Sequence, residues 1–159
     1  MVKGRELLGR PVVELGSGRQ VGVVEDLLLA LNPARVRALK VKTGNLLETG
    51  RMLDFRAIHR IGPEAVTFLE ERAEELTVEE EGNDSLRIRE IKGQRAISEA
   101  GEELGTMEDA EIDPNSGQVI CWKLSGGLIQ DLLDGRKTLF TGAVAAYGKD
   151  RVIIREGVG

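Results

Sequence analysis

Gly18-Arg19-Gln20-Val21-Gly22, followed by Glu25-Asp26, and Gly101-Glu102-Glu103-Leu104-Gly105, followed by Glu108-Asp109, are two copies of one phrase. Outward from that phrase the correspondence continues in order. Arg5-Glu6-Leu7-Leu8-Gly9 reappears as Arg89-Glu90-Ile91-Lys92-Gly93, Val36 as Val119, and Leu39-Lys40-Val41 as Trp122-Lys123-Leu124. Further on, Gly50-Arg51 aligns with Gly135-Arg136, Phe55 with Phe140, and Gly62-Pro63-Glu64-Ala65-Val66 with Gly148-Lys149-Asp150-Arg151-Val152. The period is about 84 residues in a chain of 159. Matches fall on turn glycines and alternating apolar positions, as a duplicated structural unit requires.

Each copy reads as short strands joined by turns. In the first, Pro11 to Leu15 is a strand closed by Gly16-Ser17-Gly18, and Gln20 to Leu31 is a longer one, apolar enough for its middle to be buried on both faces. Asn32-Pro33 marks the next turn. Arg35 to Lys42 is a third strand, with a break in alternation at Leu39-Lys40 that suggests a bulge. Arg51 to Phe55 and Ala65 to Leu69 follow, with one helical turn expected at Phe55-Arg56-Ala57-Ile58. The second copy repeats the order with Gln94 to Ser98, Glu103 to Ile112, Val119 to Leu124, Arg136 to Phe140 and Arg151 to Arg155. About 70 residues per copy is too little for a two-layer sandwich, so the expected fold is all-β. It consists of two tandem, small, strongly bent barrels with minor short helices, because closure removes exposed edges. One such unit alone buries only about 60% of its unfolded surface.

Composition narrows the class. Hydrophobic residues make up 41% and charged residues 31%, enough to build a core. No apolar run approaches the roughly 20 residues of a membrane-spanning helix, so no membrane insertion is expected. The opening residues show no secretory signal, and a cytoplasmic chain is expected. A single Cys excludes an internal disulfide and a thiolate zinc site. A net charge of −5 and 3% aromatics argue against a nucleic-acid binder.

Charge is unevenly spread. Residues 1–69 carry eleven bases against seven acids, whereas residues 70–90 carry nine acids against three bases. Residues 1–69 and 86–159 are therefore expected to be the two domains and 70–85 an acidic linker. Leu69, Ala73 and Leu76 have helical spacing, so a short docked helix and a solvated linker both fit.

Glu6-Leu7-Leu8-Gly9-Arg10-Pro11-Val12-Val13 with Gly18 and Gly22-Val23-Val24-Glu25-Asp26, and the closing phrase Leu53-Asp54-Phe55-Arg56-Ala57-Ile58-His59-Arg60-Ile61-Gly62-Pro63-Glu64-Ala65-Val66-Thr67-Phe68, resemble a PRC-barrel domain. The second copy keeps only the outline of the closing phrase, at Val144 to Val152. The resemblance implies a bent barrel used as an assembly or adaptor element, without catalytic residues. Family members in the photosynthetic reaction centre and in ribosome maturation set two precedents. The first has a transmembrane helix not seen here, and the second a different N-terminal domain. Gly18, Gly22, Gly101 and Gly105 are expected to serve turns and close backbone approach.

No residue pattern points to catalysis, a cofactor or a metal. Gly16-x-Gly18-x-x-x-Gly22 is followed by a strand, whereas a dinucleotide fingerprint needs a helix there. Asp109-x-Glu111-x-Asp113-x-Asn115 resembles a calcium ladder, but Pro114 and Ile120 stand where an EF-hand needs Gly and a bidentate Glu. His59 has no second His or Cys to complete a metal site. Cys121, beside Trp122, reads as a buried inert thiol. Two features remain for a partner. Arg35, Arg37, Lys40 and Lys42 give one strand a basic face, able to meet an acidic or phosphate-bearing partner or the chain's own acidic linker. Leu128, Ile129, Leu132 and Leu133 line an arm that either caps its own barrel or docks another, and that arm or a barrel edge offers a surface for a homodimer. The function expected is a non-enzymatic protein–protein scaffold of unidentified partner. The alternative is a ribosome- or RNA-associated assembly factor using the basic face; a small-molecule binder or enzyme is a distant third.

Overall fold

The computed structural model describes residues 1–44, 50–76, 78, 85–126 and 136–155. The Leu128–Leu133 arm, the Leu46-Leu47 pair and part of the acidic linker lie outside the described residues. In chain order the elements are β1 (Val2–Lys3), α1 (Gly4–Leu7), β2 (Pro11–Glu14), β3 (Arg19–Ala30), β4 (Arg35–Lys42) and β5 (Arg51–Asp54). A 3-10 turn (Phe55–Ala57), β6 (Ile58–Ile61), β7 (Val66–Phe68) and α2 (Glu70–Glu75) complete the first half. The second half runs β8 (Ser85–Arg87), α3 (Ile88–Ile91), β9 (Arg95–Ser98), β10 (Glu103–Ile112), β11 (Val119–Ser125) and β12 (Arg136–Phe140). A second 3-10 turn (Thr141–Ala143), β13 (Val144–Tyr147) and β14 (Arg151–Ile154) end it.

The duplication is realised as two sheets of the same topology. One runs β5-β4-β3-β2-β7-β6 and the other β12-β11-β10-β9-β14-β13, each with one parallel pair (β2 with β7, β9 with β14) among antiparallel ones. The chain is thus all-β, built from two small bent barrel-like units with short helices.

The opening strands are exchanged. β2 has only four residues and pairs β3 near its start, from Arg19 to Val23, so the far half of the 12-residue β3 has no edge partner in its own repeat. That edge is taken by β8 of the other repeat, Leu28 to Ala30 against Arg87 to Ser85. Reciprocally, β1 pairs the far end of β10, Val2 with Ile112 and Lys3 with Glu111. Unpaired strand edges are thereby satisfied inside the molecule.

A pseudo-twofold axis passes between the hairpin tips. Arg35 and Gln118 form an antiparallel bridge. Val36 N–H donates to Gly117 O at 2.7 Å, and Val119 N–H donates to Ala34 O at 3.0 Å. Leu7, Leu27, Ile88, Ile91, Ile112 and Trp122 belong to one hydrophobic cluster that runs through both units.

Local details differ from the sequence reading in three places. The irregularities of the β3–β4 pair are an extra residue of β3 at Glu25, between the Val24/Asp26 registers, and an extra residue of β4 at Arg37, between the Leu28/Leu29 registers; β4 has no bulge at Leu39-Lys40. Leu39 pairs with Leu53 and Ala38 with Asp54, while Trp122 pairs with Leu139 and Cys121 with Phe140. The structural counterpart of Phe140 is therefore Asp54, and that of Phe55 is Thr141, one residue from the alignment by identity. The acidic tract starts with α2, which docks through buried Ala73 and partly buried Leu76, while Leu69 is exposed.

Candidate functional site

The predicted basic strand does not act as one face. Arg35 is exposed at the pseudo-twofold bridge. Arg37, the bulged residue, turns towards the linker end and donates from Nη1 to Ser85 Oγ at 3.1 Å. Lys40 and Lys42 sit farther along β4 and line a cleft of about 530 Å³ with Arg87 and Arg89 of the second repeat. Strand exchange brings these four cations together. Arg89 is anchored there by its Nε–H, which donates to Glu25 O at 2.8 Å. Glu25 and Asp26 also line the cleft, and Lys40 Nζ lies 4.0 Å from Glu25 Oε2. The cleft is cationic with an acidic floor.

Asp26 is almost fully buried in that floor, where its Oδ1 accepts from the N–H groups of Leu27 (2.9 Å) and Arg89 (3.3 Å). Burial pushes its carboxyl above the ordinary range, opposed by those backbone hydrogen bonds. The second repeat has the counterpart: Lys3, Arg5 and Lys123 with Asp109 and Glu111 line a smaller cleft of about 270 Å³. Asp109 Oδ1 accepts from Ala110 N–H at 2.9 Å and Arg5 N–H at 3.2 Å. Arg87 and Arg89 were missed because they open the other repeat. The signal that could have found them is the basic pair Lys3 and Arg5 at the same place in the first copy.

Arg51 and Arg56 of the first repeat are engaged internally. Arg51 makes a two-point pair with Glu70 of α2 (2.5 and 2.9 Å) and its guanidinium lies 5.6 Å from the Phe68 ring centre. Arg56 clasps Asp54 through Nε (3.0 Å) and Nη2 (2.8 Å), which holds the Asp54 carboxyl below its usual range. Arg51, outside the Arg35–Lys42 face, thus meets the first residue of the acidic tract.

The apparent calcium ladder does not converge. Asp109 turns to Arg5, Glu111 lies 3.8 Å from Lys123 Nζ, and Asp113 caps its turn by accepting Asn115 N–H at 2.8 Å. Those turn hydrogen bonds lower the Asp113 carboxyl. Among the described residues no three His, Cys, Asp or Glu side chains converge on a metal position. Cys121 is buried with Sγ 3.6 Å from Glu111 Oε2, and burial together with that carboxylate pushes its thiol up. Tyr147 accepts Trp122 Nε1–H at 3.0 Å, and burial pushes its phenol up to about 12.

The four glycines hold backbone positions. A Cβ on Gly22 would lie 2.2 Å from Lys42 O, so β3 and β4 touch there because the side chain is missing. Gly105 is its counterpart, facing Ser125 O, and Gly18 and Gly101 turn the two hairpins with positive φ.

Two copies of a small bent sheet, each with a parallel pair closing it, define a tandem-barrel protein. The model of the PRC-barrel domain matches the chain twice, over residues 1–68 and 83–159. The chain belongs to the PRC-barrel family and carries two of its domains. A search of curated proteins found no match. Among the described residues no helix is long and apolar enough to cross a membrane.

Proposed function

We propose that this chain is a non-enzymatic assembly module of the cytoplasm, which displays two PRC barrels at a fixed spacing to a protein partner. The observation that carries this reading is the reciprocal exchange of β1 and β8, which gives both barrels one hydrophobic core. Joined this way, the units hold surface groups from different repeats in register, as an adaptor requires. The cleft of Lys40, Lys42, Arg87 and Arg89 is then the surface for an acidic segment, with Glu25 and Asp26 selecting against an unbroken run of phosphates.

The same four cations favour a second reading, association with ribosomal RNA. Both contacts are charged and both weaken with salt, RNA more steeply because each phosphate contact releases a counterion. Affinity capture from the native cell at low salt, followed by mass spectrometry and by nuclease treatment of the captured complex, separates the two. One or two non-ribosomal proteins that stay bound after nuclease treatment support the adaptor. Ribosomal components released by nuclease overturn it.

A further inference from the structure

The two repeats differ where the hairpin tip of one meets the 3-10 turn of the other. In the first repeat the Phe55 ring packs over Gly117 at the β10–β11 tip, so closely that a Cβ on Gly117 would lie 3.1 Å from Phe55 Cζ. The matching place in the second repeat is a cleft of about 630 Å³ between Pro33 and Ala34 of the β3–β4 tip and the second 3-10 turn. Ladder register gives its residues their counterparts. Asp54 opposite Ala38 corresponds to Phe140 opposite Cys121, so Thr141 replaces Phe55 and Gly142 replaces Arg56. His59 and Ala145 are the extra residues at the same irregularity of β6 and β13, so Ala145 replaces His59. Thr141, Gly142 and Ala145 all line the cleft. Three positions that carry large side chains in one repeat carry small ones in the other, at a single place.

The floor is apolar and the rim is charged. Ala34 and Val119 are buried members of the core cluster. Tyr147 is a fixed wall, because its hydroxyl accepts Trp122 Nε1–H at 3.0 Å and the two rings pack with centres 6.1 Å apart. Arg155 stands exposed at the edge, where the first repeat has Leu69. The two are equivalent because each donates its backbone N–H to the end of its 3-10 turn, Leu69 to Ala57 O and Arg155 to Ala143 O. Arg155 Nη1 donates to Gly142 O (2.6 Å) and Val144 O (3.0 Å), which fixes the guanidinium beside the opening. Among the described residues Arg155 pairs with no carboxylate, and a guanidinium has donors beyond those two bonds.

We propose that this cleft binds an aromatic side chain of a protein partner that has an acidic residue next to it. The ring takes the place that Phe55 has within the chain, and the carboxylate meets Arg155. Phe55 is the argument for the ring, since the same frame of tip and turn is occupied by a phenyl group in the other repeat. Arg155 is the argument for the acid, through charge complementarity. The occupant is a segment of a partner because small ligands are buried on most sides, whereas this cleft opens along the surface past exposed Arg155. Ala34 carries a Cβ where Gly117 has none, so the incoming ring sits slightly farther from the tip. The cleft shares no residue with that of Lys40, Lys42, Arg87 and Arg89, so the inference goes beyond the adaptor reading's acidic seat and does not rest on it.

The test is selection of a displayed random-peptide library on the full chain. Enriched peptides are expected to share an aromatic residue next to Asp or Glu. The tightest of them, synthesised with blocked ends, is expected to shift the amide NMR signals of Thr141, Ala145 and Arg155. Replacing its aromatic residue by Ala is expected to weaken binding about 30-fold, the loss of a buried anchor. Thr141→Phe and Ala145→His restore the bulk of the first repeat. Each is expected to weaken binding about tenfold with an unfolding midpoint close to the parent's. Arg155→Gln is expected to weaken it about threefold and to leave unchanged the binding of a peptide whose acid is replaced by Gln. Enrichment of peptides without the aromatic and acidic pair, or binding unmoved by both filling variants, overturns the proposal. So do equal shifts at the three amides from free phenylpropionate, which assign the cleft to a small molecule. Equal shifts from concentrating the chain alone assign it to a second copy and overturn the proposal as well.

Discussion

Asp109 accepts the backbone N–H of Arg5 at 3.2 Å across 104 residues of chain, and thereby fixes the start of α1 of one repeat to the long strand of the other. Arg5 Nε and Lys92 Nζ stand 3.8 and 4.0 Å from the same carboxylate. Asp26 and Arg89 repeat the backbone contact in the other half at 3.3 Å. These two carboxylates latch the exchange.

Removing a buried, charge-assisted acceptor leaves its donor unpaired and costs about 2–3 kcal/mol. Asp109→Ala is expected to lower stability by that amount in urea denaturation, in one transition, because both units share a core. Two separate transitions would show that the exchange does not couple the units.

Two carboxylates give opposite pH dependence. Asp26 is raised above its ordinary 3.8, chiefly by burial. Its ionisation therefore costs stability above its folded pKa, and that cost disappears below 3.8. Asp54 is lowered from 3.8, chiefly by the Arg56 side chain, so it contributes stability above 3.8 that is lost as pH falls through its folded pKa. Asp26→Asn is expected to raise the urea midpoint at neutral pH and to lose that gain below 3.8. Asp54→Asn is expected to lower the midpoint at neutral pH, with the deficit shrinking in acid. Parallel pH series of the two variants check the signs.

Gly22 and Gly18 should separate crowding from conformation. An Ala at Gly22 forces β3 from β4, because the obstacle at 2.2 Å is the Lys42 carbonyl and not a flexible side chain. The expected cost is about 3 kcal/mol, at the upper end for overpacking. Gly18 has φ +67° with no atom within 4 Å of an added Cβ, so Ala costs only the left-handed conformation, about 1–2 kcal/mol. Thermal or urea unfolding of G22A and G18A gives the order.

A chain of residues 1–76 alone retains β1 but lacks β10, and retains β3 but lacks β8. It is expected to form a twofold dimer in which β1 of each copy takes the edge of β3 that β8 holds in the full chain. Light scattering and hydrogen exchange at Leu28 to Ala30 check this; a folded monomer with those amides unprotected would contradict it.

Most strands were legible because their signals are local. β4 and β10 span Arg35–Lys42 and Glu103–Ile112 as the alternation and turn residues indicate, and Phe55–Ala57 forms the expected helical turn. β1 and β8, of two and three residues, are too short to carry a period. Phe55 and Phe140 look equivalent by identity, but ladder register, a three-dimensional property, sets Phe140 opposite Cys121 as Asp54 is set opposite Ala38. Lys40 and Lys42 were visible as a basic pair. Arg87 and Arg89 join them only because a strand from the other repeat crosses over.

Duplication, strand order and the turn glycines are written in the residues themselves, since each depends on neighbours within a few positions. Which repeat supplies the first strand of each sheet is decided only in three dimensions. A 12-residue strand beside a four-residue partner leaves half an edge bare, and the backbone groups on that edge take the partner the packed chain places nearest. That choice merges two marginal barrels into one core and brings the cations of two repeats into one cleft.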